Sequence, residues 1–463
     1  MAAATEGFSR DPSTADAAAL RREGLFILSM LVIYCCLPLS EAHLLSLDKG
    51  LHDPDADEVE LAHHKTVLCV TYLQSGNFDA AWRYGEEAAA HCRAFGSIYG
   101  TNFIDFHLGS IAMARGDAQQ AVQLYEKGRR KSRRHFSHDV GLRLIGDVLT
   151  AELDLERNAI LYVKRRLARV IDRLHDAEAW FEIYAAAYGA ASEVCLLERG
   201  LDETLGFLDQ AQARAEHLRL AKLGPLLEAL RVTTLTLAGD TDRALDLTKR
   251  SSTNFSEAGL NDGAGAAWRE VECLSTAWVR LMLRHGRWAD AMRTADRARS
   301  FARAKGVARM ELRLNVLAAM CADAMGDRAG AIACIGNVCG EVARTGYLRA
   351  VLREGVELAP LLHEAGRSLP SDTLRRQALD LEELLTGHAG SASRTPVFSP
   401  RELEVLQHLT RGMQDKVIAR RLGVSEHAVR FHLKNIYAKT RVRGRFEAVA
   451  RARELGVLDP IPS

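Results

Sequence analysis

The sequence is poor in aromatic residues and proline, has almost no net charge, and shows no apolar run long enough to cross a bilayer. Its 463 residues include 10 prolines and 6% aromatic residues, and 61 Lys+Arg stand against 60 Asp+Glu. The apolar stretch at residues 25–39 is shorter than the roughly 20 residues that a membrane-spanning helix needs. Charged residues precede it and no small-residue cleavage site follows, which argues against a signal peptide. This composition predicts a soluble, largely helical chain of roughly two to four domains with no membrane partner.

The nine cysteines include no pair spaced as Cys-x-x-Cys, and their odd number argues against a disulfide framework. They lie within apolar helical patterns, which favours packed thiols in a reducing compartment, the cytoplasm. No paired carboxylates, HExxH, GxSxG or Cys/His cluster rises above chance. We therefore predict neither an enzyme nor a metal or cofactor site.

The charge is unevenly divided along the chain. Residues 398–458 carry 13 Lys+Arg against 6 Asp+Glu, a net charge of +7, and the rest carries 48 against 54, a net charge of −6. A basic carboxy-terminal end on an otherwise ordinary body predicts binding to a polyanion.

A short turn pattern recurs at intervals of 39–47 residues, with one interval of 84. In each copy an apolar helix is followed by Gly, a polar residue and a second helix, which usually carries Ala five positions after the Gly. The glycines are Gly76, Gly116, Gly200, Gly239, Gly286 and Gly326. Midway through the long interval stands Asn158, and Asn also tolerates a left-handed helix end. With a degenerate first unit around Leu37, the pattern predicts eight helix pairs, which is an all-α solenoid.

Residues 25–362 resemble tetratricopeptide-like repeats, and more closely the repeat region of the large MalT-like regulators of the LuxR superfamily. The resemblance implies a curved surface that binds a small-molecule inducer or a regulatory protein. Such regulators also carry an amino-terminal ATPase. This sequence contains no Gly-Lys, so the loop that would cradle a triphosphate is missing and we expect no ATP binding.

Two clusters within the repeats have a structural explanation. Trp180, Phe181, Tyr184 and Tyr188 follow helical spacing, which favours a core between repeats over a ligand groove. The basic run at residues 129–134 closes a helix and is expected to be a solvated helix end.

The predicted solenoid ends with a helix that stops near Leu385. Residues 386–396 are small and polar, which predicts a flexible linker. The domains expected are therefore a poorly ordered start at residues 1–24, the helical-repeat sensor at residues 25–385 and a separate domain at residues 397–460.

The last domain opens with two short helices. Ser399 is the expected cap of the first helix, and Pro400 follows it. The apolar stripe of this helix is Leu403, Leu406 and Leu409. A second helix, residues 415–422, has Asp415 as its expected N-cap. Its inward-facing residues are Val417, Ile418 and Leu422. A three-residue turn then leads to a third helix capped by Ser425, which is the layout of a helix-turn-helix.

The third helix has one apolar stripe and one unusual aromatic residue. The stripe, placed at about 100° per residue, is Val429, Leu433, Ile436 and Tyr437. Phe431 lies about 200° from Val429, between Arg430 and Lys434. One explanation is a stray exposed aromatic residue. The other is a recognition helix in the major groove, where the two cations reach guanine and Phe431 contacts a thymine methyl.

Residues 398–458 resemble the LuxR/FixJ-type DNA-binding domain from end to end. The motifs are Arg-Glu-x-Glu-Val-Leu at residues 401–406, Lys-x-Ile-Ala at 416–419 and Val-Arg-x-His-Leu at 429–433. The resemblance implies base contacts by Arg430, Phe431 and Lys434. The expected helix-turn-helix core is Ile418, Ala419, Leu422, Val429, Leu433, Ile436 and Tyr437. The expected phosphate contacts are Lys416, Arg420, Arg421, Ser425, His427, Arg441 and Arg445.

One departure from the family pattern falls at a position that contacts phosphate in the family. Ala428 replaces a Thr that touches phosphate in the family, and nearby arginines such as Arg441 are expected to compensate through charge.

The fourth helix, at about residues 445–455, matches the helix through which this family dimerises. Its small apolar residues face either a partner or the domain's own core, and they are Ala448, Val449 and Ala452.

These features predict a cytoplasmic transcription factor, an activator, that responds to a ligand or partner and binds double-stranded operator DNA as a homodimer. RNA polymerase is a further candidate partner. The alternative is a helical-repeat scaffold for protein–protein contacts in which DNA binding is secondary.

Overall fold

The computed structural model describes residues 24, 27, 45, 47, 49, 51–52, 56–174, 179–220, 222–256, 260, 267–389, 400–410, 412–422, 424–426, 429–430, 432–433, 436–437, 442 and 444–454. These residues form helices joined by short turns, and no strand occurs among them. Nearly all of the predicted first helix pair, including the apolar stretch 25–39 apart from Ile27, lies outside the described residues. No helix in the described ranges is long and apolar enough to cross a membrane.

In the described part of the chain, seven helix pairs follow one another from residue 58 to residue 345. They are α1 (Glu58–Ser75) with α2 (Phe78–Ala94), α3 (Ile98–Ala114) with α4 (Ala118–His135), α5 (Val140–Glu156) with α6 (Ile160–Leu174), α7 (Phe181–Arg199) with α8 (Leu201–His217), α9 (Leu223–Leu237) with α10 (Thr241–Arg250), α11 (Trp268–Arg284) with α12 (Trp288–Lys305), and α13 (Ala308–Ala324) with α14 (Arg328–Thr345). The sequence therefore predicts the all-α repeat architecture correctly.

The turn residue inside each of these pairs has a positive φ, as the pattern predicts. Gly76 has φ 74° and Asn158, the one non-glycine at this position, has φ 59°. Five positions after the glycine, the alanine is completely buried in five of the pairs: Ala81, Ala121, Ala244, Ala291 and Ala331. A left-handed residue ends the first helix, and the small side chain lets the second helix cross it closely.

A further helix pair follows the seven; the sequence predicts its last helix, ending near Leu385, but not the pair. The short helix α15 (Arg349–Leu352) and a 3-10 turn (Val356–Leu358) lead to α16 (Ala359–Ser368) and α17 (Asp372–Ala389). No left-handed glycine joins α16 to α17. Instead the chain leaves α16 through Leu369, which is extended at φ −61° and ψ 144°, as is usual for a residue before proline. Helix α17 also runs to Ala389, so the first four residues of the predicted linker are helical.

The first helices of the pairs form an inner layer, since each packs against the first helix of the neighbouring pair. Three inner contacts reach much further along the chain. Helix α11 contacts α1, α13 contacts α3, and α15 contacts α5. In each contact the two helices belong to pairs that are five positions apart in the series. The superhelix therefore completes one turn in about five pairs, and its second turn packs on the first.

The contact between the two superhelical turns leaves no room for larger side chains. A Cβ added to Gly116, at the end of α3, would lie 2.6 Å from Cγ2 of Thr345 in α14. Phe78 of α2 meets Trp268 of α11 edge to face, with the ring centroids 6.1 Å apart. The turns are therefore in close van der Waals contact.

Side-chain burial tests two sequence-based expectations. Trp180, Phe181, Tyr184 and Tyr188 are buried, which confirms that they form core between repeats. The basic run 129–134 is a solvated helix end only in part: Arg130, Arg133 and Arg134 are exposed, whereas Arg129 and Lys131 are half-buried. Arg129 bridges to Asp147 of α5 at 3.0 Å, and Lys131 bridges to Asp105 of α3 at 2.7 Å. These bonds attach α4 to both neighbouring inner helices.

The described cysteines are free thiols, buried or half-buried: Cys69, Cys92, Cys195, Cys273, Cys321, Cys334 and Cys339. Burial raises the pKa of the Cys69 thiol to about 12. These residues are packed thiols, as predicted.

The carboxy-terminal region has a hydrophobic core of its own. Its helices are α18 (Pro400–Leu409), α19 (Asp415–Leu422) and α20 (Arg445–Glu454). Residues 426, 429–430, 432–433 and 436–437 are also helical, and we call them the third-helix segment. The buried core residues are Val405, Leu406, Leu409, Ile418, Ala419, Val429, Leu433, Ile436, Ala448, Val449 and Ala452.

Candidate nucleic-acid interface

The third-helix segment buries one face against α18 and α19. Val429 and Ile436 are completely buried, Leu433 is 5% exposed and Tyr437 packs half-buried beside them. From α19, Ile418 and Ala419 are buried and Leu422 is half-buried against the same core. The structure thus gathers into one cluster the residues that the sequence assigns to the helix-turn-helix core.

Helix α18 ends and α19 begins within six residues. Gly412, with φ 69°, accommodates the end of α18. The carbonyl of Gln414 accepts bonds from the amides of Val417 and Ile418 at 2.9 and 3.0 Å, so Gln414 caps α19 rather than Asp415.

Two expectations about α19 are therefore wrong. Asp415 is the first helical residue instead of the cap, and Val417 is 45% exposed instead of facing inward. Ile418, Ala419 and Leu422 fill the inward sector of this short helix, and Val417 falls on the far side of it.

Asp415 has a different partner. Its Oδ1 accepts a bond from Nη2 of Arg445 at 2.7 Å, and the same guanidinium nitrogen lies 3.5 Å from the carbonyl oxygen of Met413. This contact joins the start of α19 to the start of α20. The sequence analysis did not predict this contact. Its only signal in the sequence is that Asp415 and Arg445 carry opposite charges at the starts of the second and fourth helices of the domain.

Helix α20 packs its small apolar residues against the core of its own domain. Ala448 and Ala452 are completely buried and Val449 is 9% exposed, all three in the core that holds Val429. Of the two orientations that the sequence left open, the structure has the one facing the core.

The exposed side of the helix-turn-helix is basic. Lys416, Arg420 and Arg421 of α19 are exposed, and so is Ser425. Arg430 follows the buried Val429 on the third-helix segment, and its side chain is 68% exposed. Its Nη2 lies 3.8 Å from Oε2 of Glu426, an exposed pair worth at most about 1 kcal/mol, so a stronger anion can displace it. Phe431, Lys434, His427 and Arg441 lie outside the described residues.

Comparison with known families accounts for both parts of the chain. The family described as "MalT-like TPR region" matches residues 54–368, and "Bacterial regulatory proteins, luxR family" matches residues 396–452. The chain belongs to the MalT-like TPR family. Its carboxy-terminal part is a LuxR-type DNA-binding helix-turn-helix domain, which makes the chain a member of the LuxR family of transcriptional regulators.

Curated relatives agree with this assignment. The probable HTH-type transcriptional regulator GfsR of Streptomyces halstedii is 35% identical over 100 residues, which cover 20% of this chain and 41% of that protein. The transcriptional activator protein CarR of Pectobacterium carotovorum is 40% identical over 65 residues, which cover 14% of this chain and 27% of that protein.

The spore germination protein GerE of Bacillus subtilis is 38% identical over 64 residues, which cover 14% of this chain and 86% of that protein. The match to GerE therefore spans nearly the whole of that relative, whereas the chain covers less than half of GfsR.

Proposed function

We propose that this LuxR-family protein is a sequence-specific activator of transcription, and that its helical repeats sense a ligand or partner protein and control the DNA-binding domain. The observation that carries the proposal is the position of Arg430. It is exposed directly after a completely buried Val429, on the helix that packs against α19. An arginine exposed on a recognition helix in the major groove can form a bidentate bond to O6 and N7 of guanine, the commonest base-specific contact.

The remaining contacts follow from the same helix. Phe431 and Lys434 complete the set of base-reading residues, with Phe431 against a thymine methyl. The expected phosphate contacts are Lys416, Arg420, Arg421, Ser425, His427, Arg441 and Arg445. The exposure of Lys416, Arg420 and Arg421 along α19 supports this division, since exposed cations are available to phosphates.

On DNA we propose a homodimer, with RNA polymerase as a further partner at the promoter. Two copies would place two recognition helices one helical turn apart on an operator of two half-sites. The buried face of α20 is not available for dimerisation. Contacts between copies would therefore use its other face, where Glu447 is exposed.

Control by the repeats has an electrostatic basis. The body of the chain carries a net charge of −6 and residues 398–458 carry +7. We propose that the repeats hold the DNA-binding domain back until a ligand or partner binds. A fragment of residues 395–463 should then bind DNA more tightly than the full chain at equal salt, and equal affinities would remove the reason to invoke autoinhibition.

The central test is a selection of double-stranded sites from a random library with the full-length protein. Wild type should enrich one sequence, and the double variant Arg430→Ala/Lys434→Ala should lose the preference while it still binds DNA weakly. The matched control, Arg199→Ala at the end of α7, should enrich the same sequence as wild type. If the double variant still regulates its promoters, the scaffold alternative is the better description.

A further inference from the structure

A network of buried ion pairs lies along the axis of the superhelix, and no sequence motif predicted it. Eleven side chains take part, none more than 13% exposed. The glutamates are Glu152, Glu156, Glu193, Glu272 and Glu354. The arginines are Arg269, Arg280, Arg309, Arg313, Arg349 and Arg353. They come from the inner helices α5, α7, α11 and α13 and from the chain at and after α15.

One branch of the network crosses between the two superhelical turns. Arg269 donates to Oε2 of Glu152 at 2.9 Å, and Arg309 donates to Oε1 of the same carboxylate at 2.5 Å. Arg309 also donates to Glu272 at 3.0 Å, and Arg313 lies between Glu272 and Glu156. This branch has three arginines and three glutamates.

The other branch has an excess of one arginine. Arg280 pairs with Glu354 at 3.0 Å. Glu193 receives two arginines, Arg349 and Arg353, of which Arg353 donates from Nε at 3.0 Å. Six arginines thus face five glutamates across the network. Arginine does not lose its proton in a protein, so the excess positive charge remains in a poorly hydrated site.

Unmatched hydrogen-bonding atoms show the same excess of donors. Within this network, Nε of Arg269 and Nε of Arg313 are buried donors without a partner, against one buried acceptor, Oε2 of Glu156. Buried polar atoms without partners are rare, and they call for water or a ligand.

A cavity of about 80 Å³ opens beside these groups. On this measure one water takes about 10–15 Å³, so the cavity accommodates roughly five to eight non-hydrogen atoms. Its charged wall has five arginines and four glutamates of the network, so an excess of one positive charge is also present at the cavity. These residues are Arg269, Arg280, Arg309, Arg313, Arg353, Glu152, Glu156, Glu193 and Glu272.

Another wall of the cavity is largely apolar, with Ser192, Thr233 and Thr234 as its polar residues. It is formed by α7 and α9, with Ala185, Ala186, Gly189, Ala190, Leu226 and Leu230. A Cβ added at Gly189 would meet no atom within 4 Å, so this glycine borders open space inside the helix layer.

We propose that this cavity is the sensor site of the repeat region and that it binds a small amphipathic carboxylate. The carboxylate neutralises the excess arginine charge and accepts the unmatched N–H groups, and its short apolar portion lies against the α7–α9 wall. This inference rests on the proposed sensing function, but carboxylate binding can be measured without DNA.

The experiment uses the full-length protein and isothermal titration calorimetry with butyrate and 3-methylbutyrate. Each should bind, and each should raise the Tm of the protein, because a ligand that binds only the folded state stabilises it. The uncharged amides of the same acids have the same apolar portion and should not bind. Inorganic phosphate should bind more weakly, since it has no apolar portion.

Two pairs of variants locate the site. Gly189→Leu fills the cavity and should abolish binding, whereas Gly206→Leu in α8, whose added Cβ also meets no atom within 4 Å, should bind like wild type. Arg353→Gln removes the excess charge and should weaken binding at least tenfold, whereas Arg353→Lys should retain most of it. Circular dichroism before titration confirms that each variant is folded.

The outcomes separate this inference from the proposed function. If neither carboxylate binds, if the amides bind equally, or if Gly189→Leu binds like wild type, the cavity assignment is wrong, whatever the protein does on DNA. If the carboxylates bind as described but leave DNA binding unchanged, the site stands and the proposed control of the DNA-binding domain is wrong.

Discussion

The hydroxyl of Tyr347 donates a hydrogen bond to the backbone carbonyl of Met113, 2.8 Å away and 234 positions earlier in the chain. Tyr347 is completely buried between α14 and α15, and Met113 lies in the last turn of α3. The bond therefore joins the second superhelical turn to the first. Loss of such a bond tests the packing of the two turns directly.

Tyr347→Phe should destabilise the protein by about 0.5–1.5 kcal/mol, because the variant keeps the packed ring and loses one buried hydrogen bond. Urea unfolding of the full chain measures this change. Tyr188→Phe is the matched control, since Tyr188 is equally buried and its hydroxyl has no partner among the described residues. That control should be neutral or slightly stabilising, and equal losses in both variants would contradict the role given to the Tyr347 bond.

Gly116→Ala should be more damaging than the same change at another repeat turn. Both Gly116 and Gly286 have positive φ, 80° and 78°, so each substitution costs about 1–2 kcal/mol of backbone strain. Only at Gly116 does the added methyl meet the next superhelical turn, at Thr345, while Gly286 has open space around it. We expect about 1–3 kcal/mol of additional destabilisation from this overlap. The difference between the two variants in chemical denaturation measures the inter-turn contact.

Glu152→Gln should cost about 3–5 kcal/mol at neutral pH, because it leaves Arg269 and Arg309 buried without their shared carboxylate. Burial disfavours the ionised form of Glu152, but the two guanidinium groups outweigh burial and lower its pKa to about 2. A lowered acid pKa stabilises the folded state above the ordinary value near 4.5, and that stability disappears as the pH falls toward 2. The gap in unfolding free energy between wild type and variant should therefore narrow across this pH range.

Glu182→Gln provides the control for that titration. Burial raises the pKa of the Glu182 carboxyl, so its negative charge is less favourable in the folded state than in the unfolded chain, and Gln removes that charge. The variant should be as stable as wild type or more stable at neutral pH. A loss as large as that of Glu152→Gln would mean that any change at these buried positions is harmful, irrespective of the charge.

On DNA, Arg430→Ala and Lys416→Ala should have different effects. Arg430→Ala should weaken the selected site by about 1–3 kcal/mol and leave non-specific binding nearly unchanged, because a base contact carries sequence information. Lys416→Ala should weaken all sequences alike and reduce the salt dependence of binding by about one unit of slope, as expected for one phosphate contact. Fluorescence anisotropy over a range of salt concentrations distinguishes the two. A uniform loss with Arg430→Ala would make that residue a phosphate contact.

The features predicted correctly from the sequence are those that depend on neighbouring residues. A left-handed helix end requires Gly or Asn whatever surrounds it, so the turns at Gly76 and Asn158 could be located. The buried stripe through Val429 and Ile436 follows from helical periodicity in the same way. Ile418 and Leu422 face inward as predicted, but Val417 lies about 100° around the helix from Ile418, away from Leu422, so the expectation for Val417 was wrong.

The ion pairs along the axis could not be predicted from neighbouring residues. Glu152 and Glu156 share one face of a helix at a spacing of four residues, and so do Arg309 and Arg313, but this spacing does not show which residues pair. That Arg309 reaches Glu152, 157 positions away, depends on the pitch of the superhelix. Pitch is the sum of small rotations between successive pairs, and no single repeat encodes it.

The packing of the second superhelical turn on the first also changes how this repeat region unfolds. A solenoid whose units contact only their neighbours can unravel from either end, one unit at a time. Here bonds such as Arg309 to Glu152 tie together segments four units apart, which raises the contact order and makes each unit's stability depend on distant ones. The region should lose its structure in a single cooperative transition, slowly, and it should resist proteolysis at its interior turns until that transition occurs.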